Sequence, residues 1–246
     1  MAYRTVVASA LAAGLAALGG CGLSSVGGGG AGGAVGFGGA PGAGGQGGQA
    51  GAAGGVCVGA VPTSPVIAQF LGEDDFAGVP RGNVYTYADS GLIRPVADTS
   101  SGALVVTVDT GVPSTVYAYA GVGLPFSGCV DLSSYAGVQF TISGTLSDGC
   151  QMQFAVVDAV HSSSPPLGAC TDDPCYPPGR VFALPAVPTT TTILFADLAA
   201  GGPALPVIVP SVVTALQWQF DLVPGDAGGC TGQVTIDNVT LVALLP

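Results

Sequence analysis

Lysine is absent from this 246-residue chain, and four basic residues face fifteen acidic ones. A nucleic-acid partner is thereby excluded, because phosphate binding rests on clustered lysine and arginine. The same deficit disfavours direct contact with anionic lipid headgroups. Charged residues make up only 8% of the chain, low for a cytoplasmic protein, so solubility rests on Thr, Ser, Asn, Gln and backbone. His161 is the only histidine and Trp218 the only tryptophan. No segment carries sustained helical periodicity with caps, which excludes a helical bundle. The one early apolar run, Thr5 to Leu18, falls short of the about 20 residues a membrane-spanning helix needs.

Glycine, by contrast, is abundant, with 42 residues. From residue 22 to 55 the chain is almost entirely Gly, Ala, Ser and Gln. Such a segment cannot bury enough apolar area to offset its ordering entropy. It is expected to be a flexible linker with a reach on the order of 30 Å. Ahead of it, Arg4 opens a short apolar stretch that ends in Leu18-Gly19-Gly20-Cys21. A basic start, apolar middle and small-residue end make an export signal. The order resembles a bacterial lipoprotein signal. The resemblance implies removal of residues 1–20, lipidation of Cys21 and a membrane partner reached through the lipid anchor. Gly22 stands where that family's inner-membrane retention signal carries Asp, which implies the outer membrane or cell surface as the place in the cell envelope. The mature chain would then keep three arginines against fifteen acids, a net charge of −12.

From about Val56 the writing changes. Val, Ile, Thr, Phe and Tyr alternate with small or polar residues, punctuated by Gly and Pro, as in an all-β chain. Strands are predicted near Val66–Phe70, Asn83–Ala88, Ala103–Val108, Val116–Val122, Gly137–Ser143, Gln151–Asp158, Val181–Leu184, Thr191–Phe195, Val213–Asp221 and Gln233–Val242, with a short turn at Ala196–Ala200. About ten strands in residues 56–246 fit one β-sandwich. Side chains alternate across a strand. Leu216, Trp218 and Phe220 therefore share one face and Gln217, Gln219 and Asp221 the other. Met152, Phe154 and Val156 likewise oppose Gln151, Gln153 and Ala155, and Val138, Phe140 and Ile142 oppose Gln139, Thr141 and Ser143. If these strands are neighbours, their outer face presents a cluster of amides.

Six cysteines remain once Cys21 carries lipid, an even number that suggests three disulfides in an exported chain. A zinc site is the rival reading, but the spacings lack paired Cys-x-x-Cys units and there is one histidine. In an up-and-down layout, Cys150 begins a return strand at the end where Cys230 follows another strand, so Cys150–Cys230 is geometrically reasonable. Cys170 and Cys175 flank the turn sequence Thr-Asp-Asp-Pro. Cys57–Cys129 follows by elimination.

The domain resembles the galactose-binding-like jelly rolls, nearest to carbohydrate-binding modules of the family 11 type. The resemblance spans roughly Ile67 to Val242. It rests on Ile67–Phe70 with Tyr85-Thr86-Tyr87-Ala88-Asp89, on Tyr119-Ala120-Gly121-Val122-Gly123-Leu124, and on Asp131 to Phe140. Phe195-Ala196-Asp197-Leu198, Leu216-Gln217-Trp218-Gln219-Phe220 and Ile236-Asp237-Asn238-Val239 complete it. It implies non-catalytic binding of a polysaccharide or glycan on one sheet face, although function sits in the site rather than the fold. Candidate platform rings are Tyr85, Tyr87, Tyr117, Tyr119 and Tyr176, with Tyr85 and Tyr87 foremost; Trp218 falls on an apolar face and belongs to the core. The amides of Gln139, Gln153, Gln217 and Gln219 are the candidate polar contacts, since an amide both donates and accepts. The same residues would equally serve as an ordinary packed or solvated sheet face. Jelly rolls of this kind often hold a structural calcium, and hard oxygen ligands could come from Asp237, Glu73 and Asp75. Catalysis finds little support: His161 beside Ser162, Ser163 and Ser164 is not a triad, and no strand-borne carboxylate pair is indicated for glycoside hydrolysis. Three functions are thus in play: a sugar-binding surface lipoprotein, an adhesive or structural envelope protein that binds another protein, and a hydrolase.

Overall fold

The computed structural model describes residues 57–71, 82–112, 118–162, 168, 170, 175–198, 207–222 and 228–244. Cys21, the glycine-rich linker, Glu73, Asp75 and Tyr117 lie outside the described residues. Among those described are eleven strands: β1 (Val66–Ala68), β2 (Tyr85–Ala88), β3 (Val96–Asp98), β4 (Leu104–Asp109), β5 (Tyr119–Val130), β6 (Tyr135–Leu146), β7 (Cys150–Asp158), β8 (Gly179–Phe182), β9 (Thr189–Leu194), β10 (Val213–Leu222) and β11 (Thr231–Ala243). Helical structure in this part is limited to two single 3-10 turns, Phe195–Asp197 and Pro210–Val212. No helix of the described residues is long and apolar enough to cross a membrane.

The strands form two antiparallel sheets, a β-sandwich of the jelly-roll type. One has the order β3-β4-β11-β6-β9, with β1 also paired to β11; the other has the order β2-β5-β10-β7-β8. The second sheet is called the site sheet below. Alternation explains why the two sheets close on each other. Along β10, Leu216, Trp218 and Phe220 are fully buried while Gln217, Gln219 and Asp221 between them are half-buried. Phe140 of β6 crosses from the opposite sheet to meet Trp218 and Phe154, with ring centroids 5.4 and 5.1 Å away. Edge-on and tilted aromatic pairs of this kind add about 0.5–1.5 kcal/mol each beyond the area they bury. Trp218 is the centre of the core, as its place in the alternation predicts.

Two expectations change. The strand carrying Gln139 does not neighbour those carrying Gln153 and Gln217. β6 pairs with β11 and β9, and Gln139 lies between Thr240 and Thr192 in the opposite sheet. The short connection from Leu146 to Cys150 passes from one sheet to the other, so sequence adjacency does not mean pairing here. β5 also runs on to Val130 rather than stopping near Val122. Pro125 is tolerated inside it for a local reason. Its carbonyl accepts from Gly82 N–H ahead of β2, so its missing N–H faces the same side, beyond the last rung of the β2 ladder at Tyr85–Gly123.

The cysteines pair as Cys57–Cys129, Cys150–Cys230 and Cys170–Cys175, with Cα separations of 5.9, 5.3 and 5.9 Å. Cys150 opens β7 and Cys230 immediately precedes β11, so that bond ties the two sheets at one end. Cys57 is tied to the far end of β5, where Ala60 also exchanges backbone hydrogen bonds with Cys129 and Asp131.

Candidate functional site

The outer face of the site sheet is built from three rows of facing residues. The first is Tyr119, Asp221 and Gln151; the second is Tyr87, Gly121, Gln219, Gln153 and Val181; the third is Tyr85, Gly123, Gln217, Ala155 and Gly179. The rows bring together five of the six residues singled out for ligand contact. Gln139 is the one they leave out, on the other sheet.

The two tyrosines do not stand up from the sheet. A Cβ added to Gly121 would overlap the Tyr87 ring, and one added to Gly123 would overlap the Tyr85 ring. Both rings therefore lie down across β5, each covering a glycine. Their centroids are 5.9 Å apart and tilted by 36°. Gln153 does the same on the other side, with its amide where a Cβ of Gly179 would be. The result is a low floor of two ring faces and three amides. Tyr119 extends it: its ring meets Tyr87 edge-on at 6.2 Å and it is 37% exposed.

The polar atoms of the floor form one connected chain. Asp221 Oδ1 accepts from Gln219 Nε2 at 2.6 Å. The Tyr87 hydroxyl lies between two amide oxygens, 3.3 Å from Gln219 Oε1 and 3.5 Å from Gln217 Oε1. Gln217 Nε2 donates to the Tyr85 hydroxyl at 2.6 Å.

Electrostatics follow from burial and from the acids. Burial raises the Tyr85 phenol against the opposing effect of its Gln217 bond. Tyr87 is pushed well up, first by burial and then by the charges of Tyr85, Asp221 and Tyr119. Tyr119 is raised by burial, by Asp89 and by the Tyr176 and Asp221 charges. Tyr176, 55% exposed in the segment just before β8, is thus near enough to act on Tyr119. Burial also raises the Asp221 carboxyl, and the Gln219 bond opposes it. Tyr85, Tyr87 and Tyr119 stay protonated donors at neutral pH. Neither described arginine is on this face: Arg94 precedes β3 in the other sheet, and Arg180 pairs with Asp197 at 2.7 Å. Among the described residues the floor is polar, aromatic and without a cation.

Two other acids, Asp158 and Asp237, bond to backbone away from these rows. Asp158, fully buried, accepts from the backbone of Val160, His161 and Val209 at 2.9, 2.9 and 3.0 Å and meets His161 Nδ1 at 2.7 Å. Its acceptor capacity goes to anchoring the turn after β7 onto the segment before β10. Asp237 bonds Asn238 through both oxygens at a bulge of β11, where Asn238 has φ 50°. Those bonds hold the bulge; the other two candidate calcium ligands, Glu73 and Asp75, lie outside the described residues, among which no group of three metal-ligating side chains occurs.

Sequence reasoning placed Asp221 on the polar face but gave it no role, and it passed over Gly121, Gly123 and Gly179. The signal was present as Tyr-x-Tyr on one strand and Gly-x-Gly on another. Reading it required knowing that the two strands pair in that register.

No family model matches this chain. No curated protein matches it either. Solved structures do. The family 11 carbohydrate-binding module of the cellulosomal cellulase Lic26A-Cel5E of Clostridium thermocellum aligns at 12% identity and a TM-score of 0.49, over 75% of this chain and 97% of that one. The family 11 module from Clostridium thermocellum in complex with a β-1,3-1,4-mixed-linked tetrasaccharide aligns at 14% identity and 0.49, over 76% and 98%. A family 30 carbohydrate-binding module aligns at 16% and 0.44, over 68% and 95%. The likeness is one of fold, which the strand order and pairing define independently.

Proposed function

We propose that the outer face of the site sheet binds a neutral polysaccharide without catalysis, and that the domain is held at the cell surface by a lipid on Cys21. The observation that carries the sugar reading is the flat pair of Tyr85 and Tyr87 rings over Gly121 and Gly123. A pyranose has a face of C–H groups that needs a flat aromatic partner and a rim of hydroxyls that needs paired donors and acceptors. The rings supply the first. Gln217, Gln219 and Gln153 supply the second, each amide nitrogen of the two β10 glutamines keeping a proton beyond the bond it already makes. With no cation on the face among the described residues, uronate and sulfated polymers find no opposite charge there.

The test is affinity gel electrophoresis of the acylation-free mature chain. The gels carry mixed-linkage β-glucan, xyloglucan, β-1,4-galactan or agarose, with polygalacturonate as the anionic control. At least one neutral polymer retards the protein, and Tyr85→Ala/Tyr87→Ala abolishes the retardation while leaving the melting temperature within a few degrees. Equal mobility of wild type in every neutral gel sinks the reading. An envelope protein that recognises another protein would give that result.

A further inference from the structure

Tyr176 is an exposed ring on a backbone with little freedom. Cys175 ahead of it is bonded to Cys170, with 5.9 Å between their Cα atoms. Pro177 and Pro178 follow it. A proline fixes its own φ and restricts the residue before it to extended conformations, so Tyr176 and Pro177 are both confined. The segment is also tied to β7 and to the turn after it. Val156 N–H donates to the Pro178 carbonyl at 2.9 Å, and Cys170 N–H donates to the Ser162 carbonyl at 3.0 Å. Fixing a ring that stays 55% exposed contributes little to the core. It does remove in advance the ordering cost that a mobile ring incurs on binding.

The place of the ring is a second observation. β8 begins at Gly179, in the row of Tyr85, and Pro178 extends its pairing to Val156. Tyr119 lies in the first row, beyond β7 and β10. On the line of β8, Tyr176 would stand about 25–30 Å from Tyr119. Exposed charges act on one another over about 10 Å or less, and the Tyr176 phenol acts on that of Tyr119. The backbone at residues 175–177 therefore turns back over the outer face of the site sheet. We infer that Tyr176 is a further ligand-contact residue, a ring that borders the Tyr85–Tyr87 floor from the β8 side, and that the Cys170–Cys175 disulfide is the device that positions it. The ligand clause rests on the function proposed above; the place of the ring does not. The site is then a groove with an aromatic border on two sides, Tyr119 on one and Tyr176 on the other.

Two measurements on the acylation-free mature chain test the inference. The first needs no ligand: the Tyr119 phenol is titrated through its ring-carbon resonance in protein carrying 13C-labelled tyrosine. Tyr176→Phe keeps the ring and removes its charge, so Tyr119 titrates at a lower pH than in wild type. Cys170→Ala/Cys175→Ala keeps Tyr176 but releases it, and gives the same lowering. Asp89, Asp221 and Tyr87, the other titratable groups that face Tyr119, are present in all three proteins. An unchanged Tyr119 in Tyr176→Phe overturns the place of the ring, and an unchanged Tyr119 in the cysteine variant overturns the role of the disulfide. The second is retardation in the neutral-polymer gels. Tyr176→Ala weakens it about three- to tenfold, the range for one aromatic contact, with an unchanged melting temperature. Tyr176→Phe is retarded as wild type is, because the ring face is kept. Cys170→Ala/Cys175→Ala, still folded by circular dichroism at the gel temperature, drops to the level of Tyr176→Ala although its tyrosine is intact. Wild-type retardation of Tyr176→Ala overturns the contact. If wild type is retarded by no polymer but Tyr119 titrates as described, the place of the ring and the role of the disulfide stand and the sugar reading falls.

Discussion

At the scale of single residues, the floor depends on what is missing beneath it. Tyr85 and Tyr87 lie flat because positions 123 and 121 carry no side chain. The two glycines are not equivalent. The three atoms nearest a Cβ at 123 all belong to the Tyr85 ring, whereas a Cβ at 121 would also come within 2.8 Å of the Trp218 carbonyl oxygen. Gly123→Ala should therefore lift one ring and leave the backbone in place. We expect it to cost the fold no more than about 1–3 kcal/mol, the usual range for a small overpacking. Polysaccharide retardation should drop to the level of Tyr85→Ala. Gly121→Ala should cost more in thermal unfolding, because backbone as well as ring must move. If Gly123→Ala binds as wild type does, the flat ring is not the contact surface.

At the scale of elements, the cross-links divide by the length of chain they close. Cys150–Cys230 spans 80 residues and Cys170–Cys175 spans 5. Loop closure restricts the unfolded chain more for the longer loop, on the order of 4 kcal/mol against about 2. Urea unfolding of Cys150→Ala/Cys230→Ala should thus show a loss roughly twice that of Cys170→Ala/Cys175→Ala, and equal losses would point to native-state packing as the source. The pairing itself was legible from strand order and turn chemistry. So were the two faces of β7 and β10, because strict alternation fixes them. Where alternation fails, legibility failed too. β5 runs on through Gly123-Leu124-Pro125, where glycine and proline obscure the strand pattern, and only the end of the β2 ladder explains why Pro125 fits. β3, three residues between Pro95 and Thr99, is too short to alternate visibly. Gln139 was misplaced for a different reason. Its strand alternates correctly, but alternation says which side faces the core and not which sheet the strand joins.

At the scale of the whole molecule, the proposal joins a sugar-binding face to an anchor. Cys21→Ser should abolish incorporation of radiolabelled palmitate and move the protein from the membrane fraction to the soluble one. Retention of label in that variant would remove the anchor. With both ends held, one by a polymer and one by a lipid, the domain becomes a mechanical coupling. Tension arriving from the N-terminal side crosses at Cys57 directly to Cys129, bypassing the short strand β1 that follows Cys57 in sequence. It then runs along β5, about 30 Å, to Tyr119 and the two covered glycines at its other end. A pull in that direction loads the rungs that join β5 to β2 and β10 in shear, all at once, instead of opening them one after another like a zip.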